Sequence, residues 1–481
     1  MKIAICASEV VPFAKTGGLA DVAGALPIAL EELRQEVIVI MPRYKTIQEN
    51  AGKIQSLKKD ISYSVIGKNI NPVTNTKALE KESKICNGVK VYFIENDAYF
   101  NRDSLYGDKN GDYKDNLERF SYYCRRALDL LKEVNFDPDI IHVHDWQASL
   151  IPVYLKTIYA REEFYKNIKT ILTIHNIGYQ GLFPKEEFPK LGLDGSFFGI
   201  ETLEFYGQIN ILKGAIVFSD FINTVSPTYS KEIQTQEFGF GLEGILNKRR
   251  QRLFGILNGL DYSIWNPRND KFIIKNYSLE NLEEKYKNKE DLQKICKLPI
   301  KKNTPVFGVV SRLAEQKGFD ILSESIGKIC RMNLQLVILG TGDLKYHVIL
   351  EDIVKKYPKI ISVHLKFDDT LAHKIYAGSD IFLMPSKYEP CGLGQMISLS
   401  YGTIPLVFKT GGLADTITED NGFMFDNYKK EELLKTMEKA IRVFKDKKKW
   451  LRLMQNAMQC NFSWKESAKE YLALYEKAKS Q

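Results

Sequence analysis

Apolar residues fall along this chain in short unbroken runs, and between the runs they recur at helical spacing. The runs predict strands at 2–7, 36–41, 89–94, 139–144, 169–174 and 221–225, and again at 305–311, 334–339, 360–364, 380–384 and 404–408. Helix-spaced stretches at 22–34, 117–133, 147–159 and 209–218 lie between the first six. Strands that are apolar on both faces belong in parallel sheets covered on both sides, and strand–helix alternation supplies the crossovers. The rhythm stops near 225 and restarts near 305, so the fold class read here is α/β, with two doubly wound parallel-sheet domains. Between them the chain is polar and irregular, from Asn247 through Asn258-Gly259-Leu260-Asp261 to Trp265-Asn266-Pro267. The charged segment 280–294 reads as a solvated helix opening the second domain, and 50–87 as an excursion from the first sheet.

Composition narrows the class. A chain of 481 residues with 44% hydrophobic content buries a large core, which excludes a small module, a disordered chain and a fibre. The balance of 68 basic against 60 acidic residues is spread rather than gathered into a stripe, so no nucleic-acid partner is expected. Seven cysteines without a CxxC pair fit reduced thiols and a cytoplasmic location. The opening run Ile3-Ala4-Ile5-Cys6-Ala7 is too short for a signal segment, and no run is long enough for a membrane span.

One feature goes beyond class. Lys15-Thr16-Gly17-Gly18-Leu19-Ala20-Asp21 recurs letter for letter as Lys409-Thr410-Gly411-Gly412-Leu413-Ala414-Asp415, each copy after an apolar strand. Paired glycines at a strand-to-helix turn let backbone N–H groups approach an anion, and a helix start adds partial positive charge. The alternative is a turn that merely needs glycine. Two matched copies favour a phosphate or sugar grip, one per domain, facing each other across a cleft. Neither GxGxxG nor GxxxxGK[ST] is present, which removes the dinucleotide and P-loop readings.

Other constellations sit where predicted strands end. Arg312 and Lys317 can neutralise a diphosphate, and cations at a helix start conflict mildly with the dipole, which favours function over a solvated surface. Glu389, ahead of Pro390-Cys391-Gly392-Leu393, suits sugar hydroxyls or a developing oxocarbenium charge; a helix-capping charge is the alternative. Cys391 reads as a packed small residue. His142, His144 and His175 with Asp145 invite a metal-hydrolase reading, but alternation along a buried strand favours hydrogen bonding by Asp145 and His175 in a ligand site. Phe367 can stack on a nucleobase or pack in the core.

Taken together, these motifs resemble the glycogen/starch synthase family, glycosyltransferase family 5, over nearly the whole length. The residues that carry the resemblance include His142-Val143-His144-Asp145-Trp146, the run 175–183, 225–229, 241–244, 258–261, 311–318, 385–393 and both glycine heptads. The resemblance implies a GT-B fold, two Rossmann-like domains facing a deep cleft. The implied domains are 1–250, carrying the acceptor side and part of the diphosphate grip, and 251–461, carrying the donor, with a helix at 462–481 crossing back to the first. It implies retaining transfer of glucose from ADP-glucose to the non-reducing end of an α-1,4-glucan, with glycogen or a malto-oligosaccharide as acceptor, UDP-glucose being the alternative donor. By the same match Lys15, Gly17 and Gly18, with Asp21 beside them, would grip the diphosphate, as would Arg312 and Lys317. His175 and its neighbour Asn176 would meet the glucose, and Asp145 and Asn258 the sugar and acceptor. Glu389 with Cys391, Gly392 and Leu393 would hold the glucosyl unit, Thr410, Gly411 and Gly412 would add backbone donors, and Phe367 would stack on adenine. No cofactor or metal, and no nucleic-acid or membrane partner, is implied; oligomeric state is not legible. Three departures stand out: Phe408 where the family more often has Arg, Gln236 for a common Pro, and a short loop from Thr416 to Gly422. Ile397 lacks the second acid of the E-x7-E transferases.

Overall fold

The computed structural model describes residues 1–47, 64–66, 83–85 and 88–481, the two short middle stretches by their backbone. Most of the predicted excursion at 50–87 lies outside these residues. The described chain divides into two compact units. Unit 1 comprises Met1–Val225, Ser230–Gly259 and Trp464–Gln481; unit 2 comprises Ser226–Tyr229 and Leu260–Ser463.

Unit 1 is built on strands β1 (Lys2–Cys6), β2 (Glu36–Pro42), β3 (Val89–Ile94), β4 (Ile140–His144), β5 (Lys169–Ile174), β6 (Phe221–Thr224) and β7 (Leu253–Gly255). They lie in the order β7-β6-β5-β4-β1-β2-β3, all parallel, with Ser64–Ile66 and Ser83–Ile85 added beside β3. The six strands predicted from apolar runs are all present. Strand β7 is an addition inside the stretch read as irregular; at three residues it is too short to show a period.

Unit 2 holds β8 (Val306–Val310), β9 (Gln335–Leu339), β10 (Ile361–His364), β11 (Ile381–Met384), β12 (Ile404–Phe408) and β13 (Phe423–Phe425). Their order, β10-β9-β8-β11-β12-β13, is the doubly wound arrangement with its reversal between β8 and β11. In unit 1 the matching reversal lies between β1 and β4. At such a reversal the following loops diverge and leave a crevice at the carboxyl edge, and the candidate residues follow these strands.

Five helices position or brace the candidate residues and the sheets that carry them: α1 (Gly18–Glu32), α2 (Asn116–Glu133), α3 (Lys285–Ile295), α4 (Gly411–Thr416) and α5 (Trp464–Lys479). Helix α5 packs against α1 inside unit 1, with Ala468, Tyr471 and Tyr475 fully buried. Tyr475 Oη lies 2.8 Å from His142 Nδ1, and Asn223 Nδ2 donates to Tyr471 Oη at 3.1 Å. The solvated helix expected at 280–294 is corrected. Helix α3 buries Lys285 and Lys289 at 5% and 2% exposure. Lys285 Nζ donates to Ala377 O and Thr403 Oγ1, both at 2.7 Å, and Lys289 Nζ pairs with Asp380 at 2.7 Å. A polar sequence had concealed an inward face because long lysine stems carry the charge to acceptors across apolar packing.

Candidate active site

In unit 2, strand β8 runs into Ser311, and a single turn at Glu315–Lys317 follows. Gly318 then takes φ +80, and a Cβ there would lie 2.1 Å from Pro385 O. That contact locks the loop after β8 onto the loop after β11. It sets Lys317 Nζ 2.6 Å from Glu389 Oε2, which also accepts from Ser386 Oγ at 3.0 Å. Both charged groups are largely buried, so each depends on the other for its compensation. Arg312, on the same loop, stays exposed, and among the described residues its side chain reaches Gln316 Oε1 alone, at 3.4 Å. A cavity of about 200 Å³ is lined by Ser311, Arg312, Lys317, Glu389, Gly392 and Leu393, among others. The sequence foresaw Arg312 and Lys317 as a cation pair; their geometry makes Lys317 the partner of Glu389 and leaves Arg312 as the uncommitted charge.

The two heptads do different work. In the second, Gly411 has φ +43, and added Cβ atoms at Gly411 and Gly412 would sit 2.0 Å from Glu389 O and 2.1 Å from Cys391 O. The Gly412 N–H donates to Glu389 O at 3.1 Å. The expectation that Gly412 offers its backbone donor to a ligand is therefore corrected: that N–H braces the segment that aims Glu389. Thr410 is buried at the start of α4, Cys391 is buried, and Gly392 at φ +76 lies against Gln395, whose Nε2 donates to Cys391 O and Gly392 O at 3.0 Å. Leu393 is half-buried. Lys409 pairs with Asp426 at 3.3 Å, and Asp415 accepts from Thr228 N and Oγ1 at 2.8 and 2.6 Å. Phe408 packs its ring on Phe425 and Tyr428, centroids 5.4 and 5.2 Å away, so the position lacking the family's Arg serves an aromatic cluster. Phe367 is 84% exposed, which removes the core-packing alternative.

In unit 1 the first heptad is open. Gly17 and Gly18 are exposed with no atom near an added Cβ, and Lys15 Nζ pairs with Asp21 at 2.7 Å. Buried Glu9 organises this turn: its carboxylate accepts from Thr16 N, from Thr16 Oγ1 at 2.6 Å, from Gly17 N at 3.2 Å and from Tyr106 Oη at 2.6 Å. Gly17's N–H is thus committed to Glu9. Gly18, as the first residue of α1, keeps the free N–H of any helix start. Sequence reasoning missed Glu9 and Tyr106. The signal for Glu9 was an acid in the loop between a buried strand and the glycine turn; Tyr106, remote in sequence, gave none. Asn116 Nδ2 of α2 donates to Tyr106 O at 2.9 Å, and Asn116 is in turn held by fully buried Arg119, whose guanidinium donates to Asn116 Oδ1, Tyr99 O and Leu105 O.

Asp145 follows β4 in left-handed backbone, φ +53, and its Oδ1 accepts from His175 N at 2.7 Å. Burial pushes its carboxyl up to about 7, the amides of His175 and Asn176 pull it back, and the charge of Glu9 adds to the rise. His175, after β5, is pushed down to about 3 by burial, as is His142. His142 has both ring nitrogens engaged, by Tyr475 Oη and by Thr173 Oγ1 at 2.6 Å, so it has no lone pair to give a metal. Among the described residues no group of three or more His, Cys, Asp or Glu is placed to hold a metal ion. Asn176 is half-buried, its Oδ1 accepting from Gly178 N at 3.0 Å. Asn258, beyond β7, is buried, its Oδ1 without a partner among the described residues.

Each unit thus gathers polar and charged side chains at the carboxyl edge of a doubly wound sheet, the plan of a nucleotide-sugar glycosyltransferase of the GT-B type. Residues 2–248 match the starch synthase catalytic domain, and residues 290–459 match the glycosyl transferases group 1. A glycogen synthase from Geotalea uraniireducens is 49% identical over 99% of this chain and 98% of its own length. One from Thermosipho melanesiensis is 47% identical over 100% and 99%. The catalytic domain of starch synthase IV from Arabidopsis thaliana, solved bound to ADP and acarbose, superposes with TM-score 0.85 at 32% identity, covering 100% of this chain and 99% of that one. A sucrose-phosphate synthase from Thermosynechococcus elongatus, at 16% identity and TM-score 0.60, shares the fold. The chain belongs to the glycogen/starch synthase family of glycosyltransferases. Among its described residues no helix is long and apolar enough to cross a membrane.

Proposed function

We propose that the chain transfers glucose from ADP-glucose to the non-reducing end of an α-1,4-glucan, glycogen or a malto-oligosaccharide, with retention of configuration and release of ADP. The observation that carries this reading is a buried carboxylate, Glu389, tied to Lys317 beside the uncommitted cation Arg312 on one cavity wall. That trio fits a sugar joined to a diphosphate: Arg312 and Lys317 stabilise the charge that builds on the departing ADP, and Glu389 faces the sugar as positive charge develops. The relative solved with ADP supports the same donor class. In this reading Lys15 and the free N–H of Gly18 add to the diphosphate grip, His175 contacts the transferring glucose, Asp145 and Asn258 serve sugar and acceptor, and the exposed ring of Phe367 stacks on adenine. Because Glu389 is held by Lys317 and Ser386, front-face displacement by the acceptor 4-hydroxyl is favoured over a covalent glycosyl-enzyme on Glu389. No disulfide joins the six described cysteines, which suits the cytoplasm.

The test is a panel of ADP-, UDP- and GDP-glucose with glycogen as acceptor, reading nucleotide release and the anomeric configuration of the new linkage. ADP-glucose should dominate, the product should be α, and EDTA should leave the rate unchanged, since fixed cations serve the diphosphate. Preference for UDP-glucose would replace the donor, and a β product would overturn retention. Arg312→Ala should lower kcat by about two to three powers of ten.

A further inference from the structure

The histidine that follows β5 is not alone. His175 Nε2 lies 2.8 Å from His144 Nδ1, and the two rings stack with centroids 5.2 Å apart at 29°. Nitrogens at that distance share one proton, one ring donating and the other accepting. Burial drives both rings far below the ordinary imidazole range, so both are neutral and each carries a single N–H. Two arrangements are then open. If His175 Nε2 donates, His144 must carry its own proton on Nε2. If His144 Nδ1 donates, its Nε2 is a bare lone pair. His144 Nε2 is buried and meets no hydrogen-bond partner among the described residues. A buried N–H without an acceptor is the rarer and costlier state, because an orphaned donor is less tolerated than an under-used acceptor. His175, by contrast, is half-buried, and no hydrogen bond from a described residue reaches its Nδ1.

We propose that His144 is a positioning residue that fixes the tautomer of His175: its Nδ1–H donates to His175 Nε2, so His175 is held as the Nδ1–H form and presents a hydrogen-bond donor, not an acceptor, to the sugar. The functional half of this statement rests on the reading of His175 as the residue that contacts the transferring glucose. The sugar oxygen that meets His175 then accepts, and its own proton goes elsewhere.

The full chain labelled with ¹⁵N-histidine tests this directly. Two-bond nitrogen–proton correlations distinguish protonated from bare ring nitrogens, and His175→Ala assigns the signal among the six histidines. His175 should show a protonated Nδ1 and a bare Nε2; a protonated Nε2 overturns the proposal. For the role in turnover, His144→Ala should lower kcat by about ten- to a hundredfold, the scale found for groups that orient a ligating histidine. In a His175→Ala background the same change should cost nothing further, whereas a full second loss would mean that His144 does not act through His175. If the chain transfers no glucose from any donor, the functional reading fails while the tautomer result stands. If His144→Ala does not fold, the wild-type spectrum still decides the proposal.

Discussion

At the scale of single residues, one seven-letter sequence is used in two ways, and glycine substitutions separate them. Gly18→Ala adds a methyl into open space at a helix start, so it should be neutral or stabilise by up to about 1 kcal/mol. Gly412→Ala drives a methyl to within 2.1 Å of Cys391 O, where backbone must move, and should cost about 1–3 kcal/mol or more. Denaturant midpoints of the two variants check this; equal shifts would sink it. The identity of the repeat was legible in the sequence, and so were Arg312, Lys317 and Glu389, because their spacing places them just past strand ends. The division of labour between the copies was not. It depends on which backbone packs beneath each turn, and Glu389-Pro390-Cys391 lies hundreds of positions from the first copy. Glu9 escaped, and His144 was read only as a possible metal ligand, for a related reason: a buried acid or imidazole declares a role only through its partners.

Among elements, the strands could be read almost to the residue, since two-sided burial leaves unbroken apolar runs. The three-residue strands β7 and β13 could not, being shorter than any period. Helix α3 shows how charge misleads. Its Lys285 ammonium is pushed down to about 7 by burial, against an ordinary 10.5. Above about 7 the folded chain holds this amine neutral while the unfolded chain keeps it protonated up to 10.5, so stability rises with pH across that window. Lys285→Met should flatten that rise, measured as unfolding free energy from pH 7 to 9.5. An unchanged slope would show that Lys285 stays charged in the fold.

On the scale of the molecule, acid sensitivity is set by the histidines of unit 1. His142 and His175 sit at about 3 in the fold against an ordinary 6.5, and burial holds His144 well below that ordinary value too. Their contribution is complete above pH 6.5 and is lost as pH falls toward 3, because the unfolded chain binds the protons. Asp145, raised from 3.8 to about 7, slopes the other way, its contribution falling as pH rises, but it is one group against three. Stability should therefore drop between pH 6.5 and 4, by up to about 1.4 kcal/mol per pH unit for each histidine, and His142→Asn should make the drop shallower. Helix α5 is expected to be as decisive. A chain ending at Ser463 strips Tyr475 from His142 and Tyr471 from Asn223, so β4, β5 and β6 should lose amide-exchange protection while β8, β9 and β11 keep theirs. Uniform loss across both sheets would contradict this. The placement of α5 also bears on synthesis. Ribosomes usually let the first-made domain finish first, yet here the first-made sheet awaits a helix that follows the whole of unit 2 in the chain. Everything in unit 2 has been translated by Ser463, before a residue of α5 exists. The bed for Tyr471 and Tyr475 therefore stays open until α5 leaves the ribosome, and the sheet of unit 1 closes only after every residue of unit 2 has been made.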